Sequence, residues 1–281
     1  MSCESKLISG NNYFSIGEAS KLCNLSKKAL RYYDELGLLS PDVVGESGYR
    51  YYSRETLLRI PVLKYFKQMG FTLEQMKDFV NGSSYPEMLS VFKKQVEDLL
   101  EENQRINEQA TSVSDWYDLI IEANSVIELN SVEVAVKYVN AMDYCCLDQP
   151  YNPCHMDAII NIEFTNFIES IDNEITGPVW RRFDSWREKV ENKVGVMKMI
   201  QKAIRPVPPE HAFHFEGGMM LSCYHIGAHG ELGRTYEKIA KWASIHGYKL
   251  FEGSYERYVT DYWTTLDQEK HVTEVLIGTS R

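Results

Sequence analysis

The sequence predicts a multi-domain α+β chain: a small helical head with a hairpin, one long helix, and a C-terminal α+β domain. Three observations predict it. Two short helices separated by a break open the chain, apolar residues then repeat at heptad spacing, and after Asn124 strand-like and helical segments alternate. A length of 281 residues suits two domains and a connector, which fall at 12–82, 86–123 and 124–281.

At 44% hydrophobic and 25% charged, the composition is that of an ordinary soluble globular protein. No run approaches the roughly 18 apolar residues of a membrane span, and the first residues lack the order of a signal peptide. A cytoplasmic protein with no membrane attachment is the expectation. The six cysteines show no disulfide framework, so reduced thiols are expected. The net charge of −10 is unevenly placed. Residues 1–85 carry 11 Lys+Arg against 9 Asp+Glu, and the remainder 19 against 31. Only the N-terminal part is suited to a phosphate backbone.

In the head, Ser15 caps a first helix with apolar Ile16, Ala19 and Leu22. Asn24-Leu25 makes a turn, and Ser26 caps a second helix to about Leu36, ended by Gly37 with Pro41 soon after. Two helices with so short a joint form a helix-turn-helix pattern, which many helical proteins share. Ala29, Leu30 and Tyr33 face the core, while Lys27, Lys28, Arg31 and Tyr32 project elsewhere. That basic, hydroxyl-bearing face suits phosphate contacts and groove insertion, or is simply solvated. Val43-Val44, a turn from Gly45 to Gly48, and Tyr49 to Tyr52 make a small hairpin, with Ser53 capping the next helix.

The stretch "LRYYDELGLL", then "GYRYY", then "GFTLEQM", in that order and spacing, resembles the MerR family over some 70 residues. The resemblance implies a winged helix-turn-helix, with Ser26 to Leu36 in the major groove and the hairpin as wing. Ser26, Lys27, Lys28, Arg31, Tyr32 and Tyr33 would lie on or near phosphates and base edges. Tyr49 and Arg50 would grip the backbone from the wing, with Lys64 and Lys67 adding phosphate contacts. Tyr33 and Tyr52 fit core positions as well.

Pro86 starts the connector helix. Its apolar positions run Leu89, Phe92, Val96, Leu99, Asn103, Ile106, Ala110, Val113, Tyr117 and Ile120, in steps of three and four. A two-stranded coiled coil follows from that repeat, with Asn103 as the polar residue that fixes register. The alternative is a helix packed on its own C-terminal domain. The MerR resemblance implies antiparallel pairing with a second copy, giving a homodimer whose two heads meet a pseudopalindromic site.

Further on, residues 132–139 alternate as a strand, those around 155–172 look helical, and "EGGMMLSCYHIG" returns to strand. "ELGRTYEKIAKWASIHGYKL" is an amphipathic helix ended at Gly247, and "YERYVTDYW" pairs with "HVTEVLIGTS" as a terminal hairpin. The order suggests two related α+β halves around one sheet. "GGMMLSCYHIG", "YEKIAKWASIHGYKLFEGSYERYV" and "HVTEVLIG" resemble the GyrI-like effector-binding domain of the Bmr-type multidrug-binding regulators. Residues 173–210 carry almost no resemblance and read as an insertion. The resemblance makes Glu256 the acid at the base of an aromatic-lined cavity, where a lipophilic cation is held by charge and by ring faces. Tyr258 shares its face at strand period two; Tyr224 and Ile226 share a face on another strand, and the relatives tend to carry an aromatic where Ile226 stands. Phe164, Tyr144 and Trp180 are further ligand candidates. A core role for each aromatic, and an ion-paired role for Glu256, are the alternatives.

Two other functions compete. Some GyrI-like domains hydrolyse small electrophiles, with Glu256 or Glu274 beside Trp263 as the conceivable acid. Cys145, Cys146, Cys154 and His155 offer ligands for a thiolate metal sensor, at irregular spacing. The reading favoured is a homodimeric, ligand-responsive, sequence-specific regulator of double-stranded promoter DNA, with no enzyme activity and no cofactor. It would activate by distorting an over-long promoter spacer, reaching RNA polymerase through the DNA.

Overall fold

Ser15 both ends a strand and caps a helix. Its hydroxyl accepts the Glu18 N–H while Glu18 accepts the Ser15 N–H at 2.8 Å, a reciprocal pair that fixes where the first helix begins. The computed structural model describes residues 13–80, 82–152 and 159–281, in two units, Met1–Gln104 and Arg105–Arg281.

In the first unit, β1 (Tyr13–Ser15) leads into α1 (Ile16–Leu22) and α2 (Lys27–Glu35). The joint is tight because Asn24 adopts φ 50°, a left-handed conformation that asparagine tolerates. Ser26 caps α2 by accepting the Ala29 N–H at 3.0 Å. Strands β2 (Val43–Val44) and β3 (Arg50–Ser53) form the expected hairpin. Unexpectedly β1 pairs on the other side of β3, making three strands in the order β1-β3-β2. Ser53 caps α3 (Arg54–Leu57), followed by α4 (Arg59–Gln68) and α5 (Leu73–Val80). The core gathers Ala19, Leu30, Tyr33, Leu38, Leu39, Tyr52, Ile60, Leu63 and Met76.

Helix α6 (Tyr85–Leu129) ends six residues past the expected 123, since Val126 in its last turns is a buried apolar anchor. Phe92 does not belong to the seam. Its ring packs tilted or edge-on against Phe66, Phe71 and Phe79, at centroid distances of 4.9–6.3 Å, in the core of the first unit. The other apolar seam residues are exposed, Leu99 at 51% and Val113 at 70% among them.

The second unit is built on one eight-stranded antiparallel sheet: β4 (Ala135–Val139), β5 (Met142–Pro150), β6 (Ile175–Phe183), β7 (Val196–Ala203), β8 (Ala212–Phe215), β9 (Gly218–Ile226), β10 (Lys249–Tyr258) and β11 (Val272–Ser280). Their order is β4-β9-β11-β10-β6-β7-β5-β8. Residues 173–210 are thus no appendage. They supply β6, α8 (Trp186–Val190) and β7. Gly177-Pro178 interrupts the alternation of β6 at a register shift between Thr176 and Trp180, which hid the strand.

Alternation along β10 and β11 sorts residues to two faces. Glu256, Tyr258, Val275 and Ile277 share one face, where α7 (Ile162–Ser170), α8 and α9 (Leu232–His246) pack around Phe164, Phe183 and Tyr236. Arg257 and Glu274 point to the other. There Leu119, Ala123 and Val126 of α6 pack on Val259, Val272, Tyr224 and Ile226, with Trp116 edge-on to Trp263 at 4.3 Å. The helix therefore carries two apolar stripes, one spent on its own sheet and one exposed.

Candidate DNA-binding face and effector site

Lys27, Arg31, Tyr49 and Arg50, singled out from the sequence, line one cleft of about 340 Å³ between α2 and the hairpin turn, with Ile16, Ser47 and Gly48. Lys28, Tyr32 and Lys67 are exposed but are not part of its lining. Arg50 is already engaged: its Nε donates to Asp34 Oδ2 at 2.8 Å, fastening the wing to α2. Lys64 donates to the Cys23 carbonyl at 2.6 Å, so it caps α1. Tyr33 is 9% exposed and belongs to the core, because its position three after Leu30 is on the buried side of α2. Tyr52 is buried too; burial, then the nearby Asp34 charge, pushes its hydroxyl pKa up.

In the second unit the predicted ligand residues do not form one set. Glu256, Tyr258 and Phe164 lie on the helix-covered face. Tyr224 and Ile226 face α6, and Tyr144 packs with Trp180 at 5.8 Å in a separate cluster. The register explains the split: Tyr224, Glu274, Arg257 and Trp180 are direct cross-strand neighbours, one residue out of phase with Glu256.

Glu256 is 0% exposed and fully engaged. Lys189 Nζ is 3.2 Å from its Oε1, Tyr236 donates to the same oxygen at 3.2 Å, and Tyr258 donates to Oε2 at 2.5 Å. Arg181, opposite Glu256 on β6, donates to the Tyr258 hydroxyl at 3.3 Å. The Lys189 ammonium lies over the rings of Tyr151 (5.1 Å) and Phe183 (5.3 Å). Burial disfavours that ammonium, but the Glu256 charge and Tyr151 outweigh it, and its pKa is raised. Burial and the Glu256 charge push the Tyr236 hydroxyl well above its usual range; burial dominates at Tyr258 as well. Glu256 therefore takes the ion-paired alternative, with Lys189 as its counterion.

Beside this cluster a cavity of about 670 Å³ is lined by Leu147, Pro150, Met197, Gln149, Asn161, Tyr151 and Arg181, with Asp148, Asn152 and Glu163. Tyr151 and Arg181 belong to both cavity and cluster. A cavity of about 440 Å³ around Arg182, Phe213, Phe215 and Tyr255 includes none of the predicted ligand residues.

The opposite face holds a second charged cluster. Glu274 accepts from Lys137, Ser222 and Arg257, the last at 3.0 Å. Arg257 and Tyr224 both bind Glu122 of α6. Two further acids of α6 follow at seven-residue spacing: Asp115 meets Lys202 at 2.7 Å, and Glu108 meets Arg205 at 3.1 and 3.0 Å. The sequence reading missed this ladder and Lys189, since each pairing joins residues tens of positions apart.

Cys145 and Cys146 are consecutive strand residues in different clusters, so they face apart. Burial, then the neighbouring Cys146, pushes the Cys145 thiol up to about 11. Cys154 and His155 lie outside the described residues. Among the described residues no group of three or more His, Cys, Asp or Glu is placed to hold a metal, and no helix is long and apolar enough to cross a membrane.

Together the head and the sheet unit define a DNA-binding regulator with a small-molecule-binding domain. The sequence profile of the MerR HTH family regulatory protein matches residues 14–83, and that of the GyrI-like small molecule binding domain matches residues 135–279. The chain is a MerR-family transcription regulator with a GyrI-like effector-binding domain. It is 25% identical over 268 residues to the multidrug-efflux transporter 2 regulator of Bacillus subtilis (strain 168), covering 94% of this chain and 96% of that one. The multidrug-efflux transporter 1 regulator of the same strain is 48% identical over 67 residues, 24% of each chain. The cryo-EM structure of an EcmrR–DNA complex overlaps 95% of this chain and 100% of that chain at 18% identity, with a TM-score of 0.46.

Proposed function

We infer that the chain works as a homodimer that grips promoter DNA with two heads and changes that DNA when a small lipophilic molecule enters the sheet unit. The observation that carries this reading is the single cleft holding Lys27, Arg31, Tyr49 and Arg50, a basic, hydroxyl-bearing concavity of the kind that seats a phosphate backbone. Lys28, Tyr32 and Lys67 are further exposed candidates of the head; Ser26 and Lys64 serve as helix caps. Dimerisation through Leu89, Val96, Leu99, Asn103, Ile106, Val113, Tyr117 and Ile120 is supported by the exposure of the apolar members of this stripe on a continuous helix.

The relatives' names, regulators of multidrug-efflux transporters, point to a lipophilic effector. Activation would follow the spacer-distortion route, with RNA polymerase reached through DNA in the cytoplasm. A hydrolytic role is disfavoured, because Glu256 and Glu274 are each held by cations and hydroxyls of this chain, and Trp263 is packed on Trp116. In vitro transcription from a bound promoter, with and without a lipophilic ligand, tests the reading. A ligand-dependent change in transcript yield is expected; binding of ligand that leaves transcription unaltered would overturn it.

A further inference from the structure

We propose that the cavity of about 440 Å³ around Arg182, Phe213, Phe215 and Tyr255 is a second ligand site, on the sheet face opposite Glu256, and that it takes an uncharged aromatic molecule. Its volume lies in the range of small-molecule sites, roughly 300–1,000 Å³.

Strand register sets the face. Tyr255 is opposite Arg182 on β6 and Leu276 on β11, one residue out of phase with Glu256, and Gly278 is opposite Met220 on β9. Aromatic rings form the walls: Tyr255 lies edge-on to Phe215 at 5.4 Å and tilted to Phe213 at 6.5 Å. Glycine leaves room between them. At Gly278, inside β11, a Cβ would come 2.8 Å from the Phe251 ring, so only glycine lets that ring lie against the strand. At Gly218, on the same face as Met220, a Cβ would meet nothing within 4 Å. At the mouth Phe251 is 51% and Met219 44% exposed, large apolar surface turned to water beside a concavity.

The charges around the cavity are paired or in water. Its ionisable lining is Arg182, His214 and Glu216, with the Tyr255 hydroxyl. Arg182 meets Asp184 at 2.7 Å, bonds the Tyr255 hydroxyl and lies over the Phe213 ring at 5.4 Å. His214 meets Asp143 at 2.6 Å. Among their neighbours, Lys198 is paired with Asp148 and Glu252 with Arg187. Glu216 is exposed, where water and salt screen it. No lining charge is both buried and unpaired, so an ionic ligand would lose hydration on entering and find no counterion to replace it. An uncharged ring system meets the aromatic walls without that cost.

The test titrates the full chain with 1-anilinonaphthalene, a neutral fluorescent probe, and with its 8-sulfonate, the same rings carrying one negative charge. The wild type should bind the neutral probe saturably, and more tightly than the sulfonate by about tenfold or better. Gly218→Leu, which fills open space, and Phe251→Ala, which removes an exposed wall, should each weaken the neutral probe by about tenfold. Neither should shift the urea midpoint, since residue 218 has room and Phe251 is half exposed. Binding of the neutral probe that neither variant weakens places it elsewhere and overturns the site. Sulfonate binding as tight as the neutral probe's, and equally sensitive to both variants, overturns the ligand class. Failure of both probes to bind overturns the proposal outright. Sensing on the Glu256 face is untouched by any of these results and is decided by transcription.

Discussion

Arg257 donates through its two terminal nitrogens to the two oxygens of Glu122, each at 2.6 Å. The same guanidinium reaches Glu274 at 3.0 Å, so a strand of the sheet and the end of α6 share one cation between two acids. The guanidinium lies over the Trp180 ring at 5.9 Å. The planar fork of arginine suits this two-sided contact as an ammonium would not.

Arg257→Met should therefore be among the most damaging single changes in the second unit. It leaves Glu274, which has no exposed surface, with Lys137 in place of two cations, and strips Glu122 of its bidentate partner. Removing one partner of a buried pair costs about 3–5 kcal/mol. Urea denaturation checks it; a loss under about 1 kcal/mol, the value for an exposed pair, would show the contact to be marginal.

The same pair sets an acid limit. Burial would raise the Glu122 pKa, but its bonds and charge contact with Arg257, and the Tyr224 hydroxyl, outweigh burial and hold it below 4.5. The folded state thus releases this proton more readily than the unfolded state. The stability from the pair is present above 4.5 and drains as pH falls through the lower folded value. Wild type should lose stability faster than Glu122→Gln on going from about pH 5 toward pH 3. Parallel pH profiles of the denaturation midpoint would contradict this.

Tyr52 is fully buried in the head, and its hydroxyl has no hydrogen-bond partner among the described residues. Tyr52→Phe removes a polar atom without opening space, so stability should hold or rise by up to about 1 kcal/mol. Promoter affinity should be unchanged, since the ring stays in the core. A clear loss of either, measured by melting and by gel shift, would mean that the hydroxyl has a functional contact.

Leu99→Asp tests the dimer stripe. Leu99 is half exposed in the single chain, so the substitution should spare the protomer's fold. In a seam it would bury an unpaired charge at a cost of several kcal/mol, on the order of enough to leave monomer at micromolar concentration. Light scattering that still reports a full dimer would place the interface elsewhere.

The head was almost fully legible because its signals are local. Ser15, Ser26 and Ser53 each cap the helix expected of them, and the helix–turn–helix–hairpin order appears within 70 residues. The heptad stripe was legible for the same reason, apart from Phe92, which three phenylalanines of the head recruit. The sheet unit was half legible. Its terminal hairpin and α9 follow local patterns, but strand order does not: β6 lies between β10 and β7, and no short-range signal encodes that. The character of Glu256 depends on Lys189, 67 positions away and in a segment that carried almost no resemblance. Tyr224 and Ile226 were rightly grouped as sharing a face; that this face is not the one of Glu256 follows only from the register.

The most direct test of the central claim is the salt dependence of promoter binding by wild type and Arg31→Ala. The duplex is one selected by the full chain from a random pool, and binding is followed by fluorescence anisotropy. Arg31 is exposed in the basic cleft. If it neutralises one phosphate, the variant should bind more weakly and its log–log salt slope should be shallower by about 0.9. Folding should be untouched, because Arg31 takes no part in the core. Identical isotherms and slopes, or failure of the wild type to select any duplex, would contradict the assignment of this face to DNA.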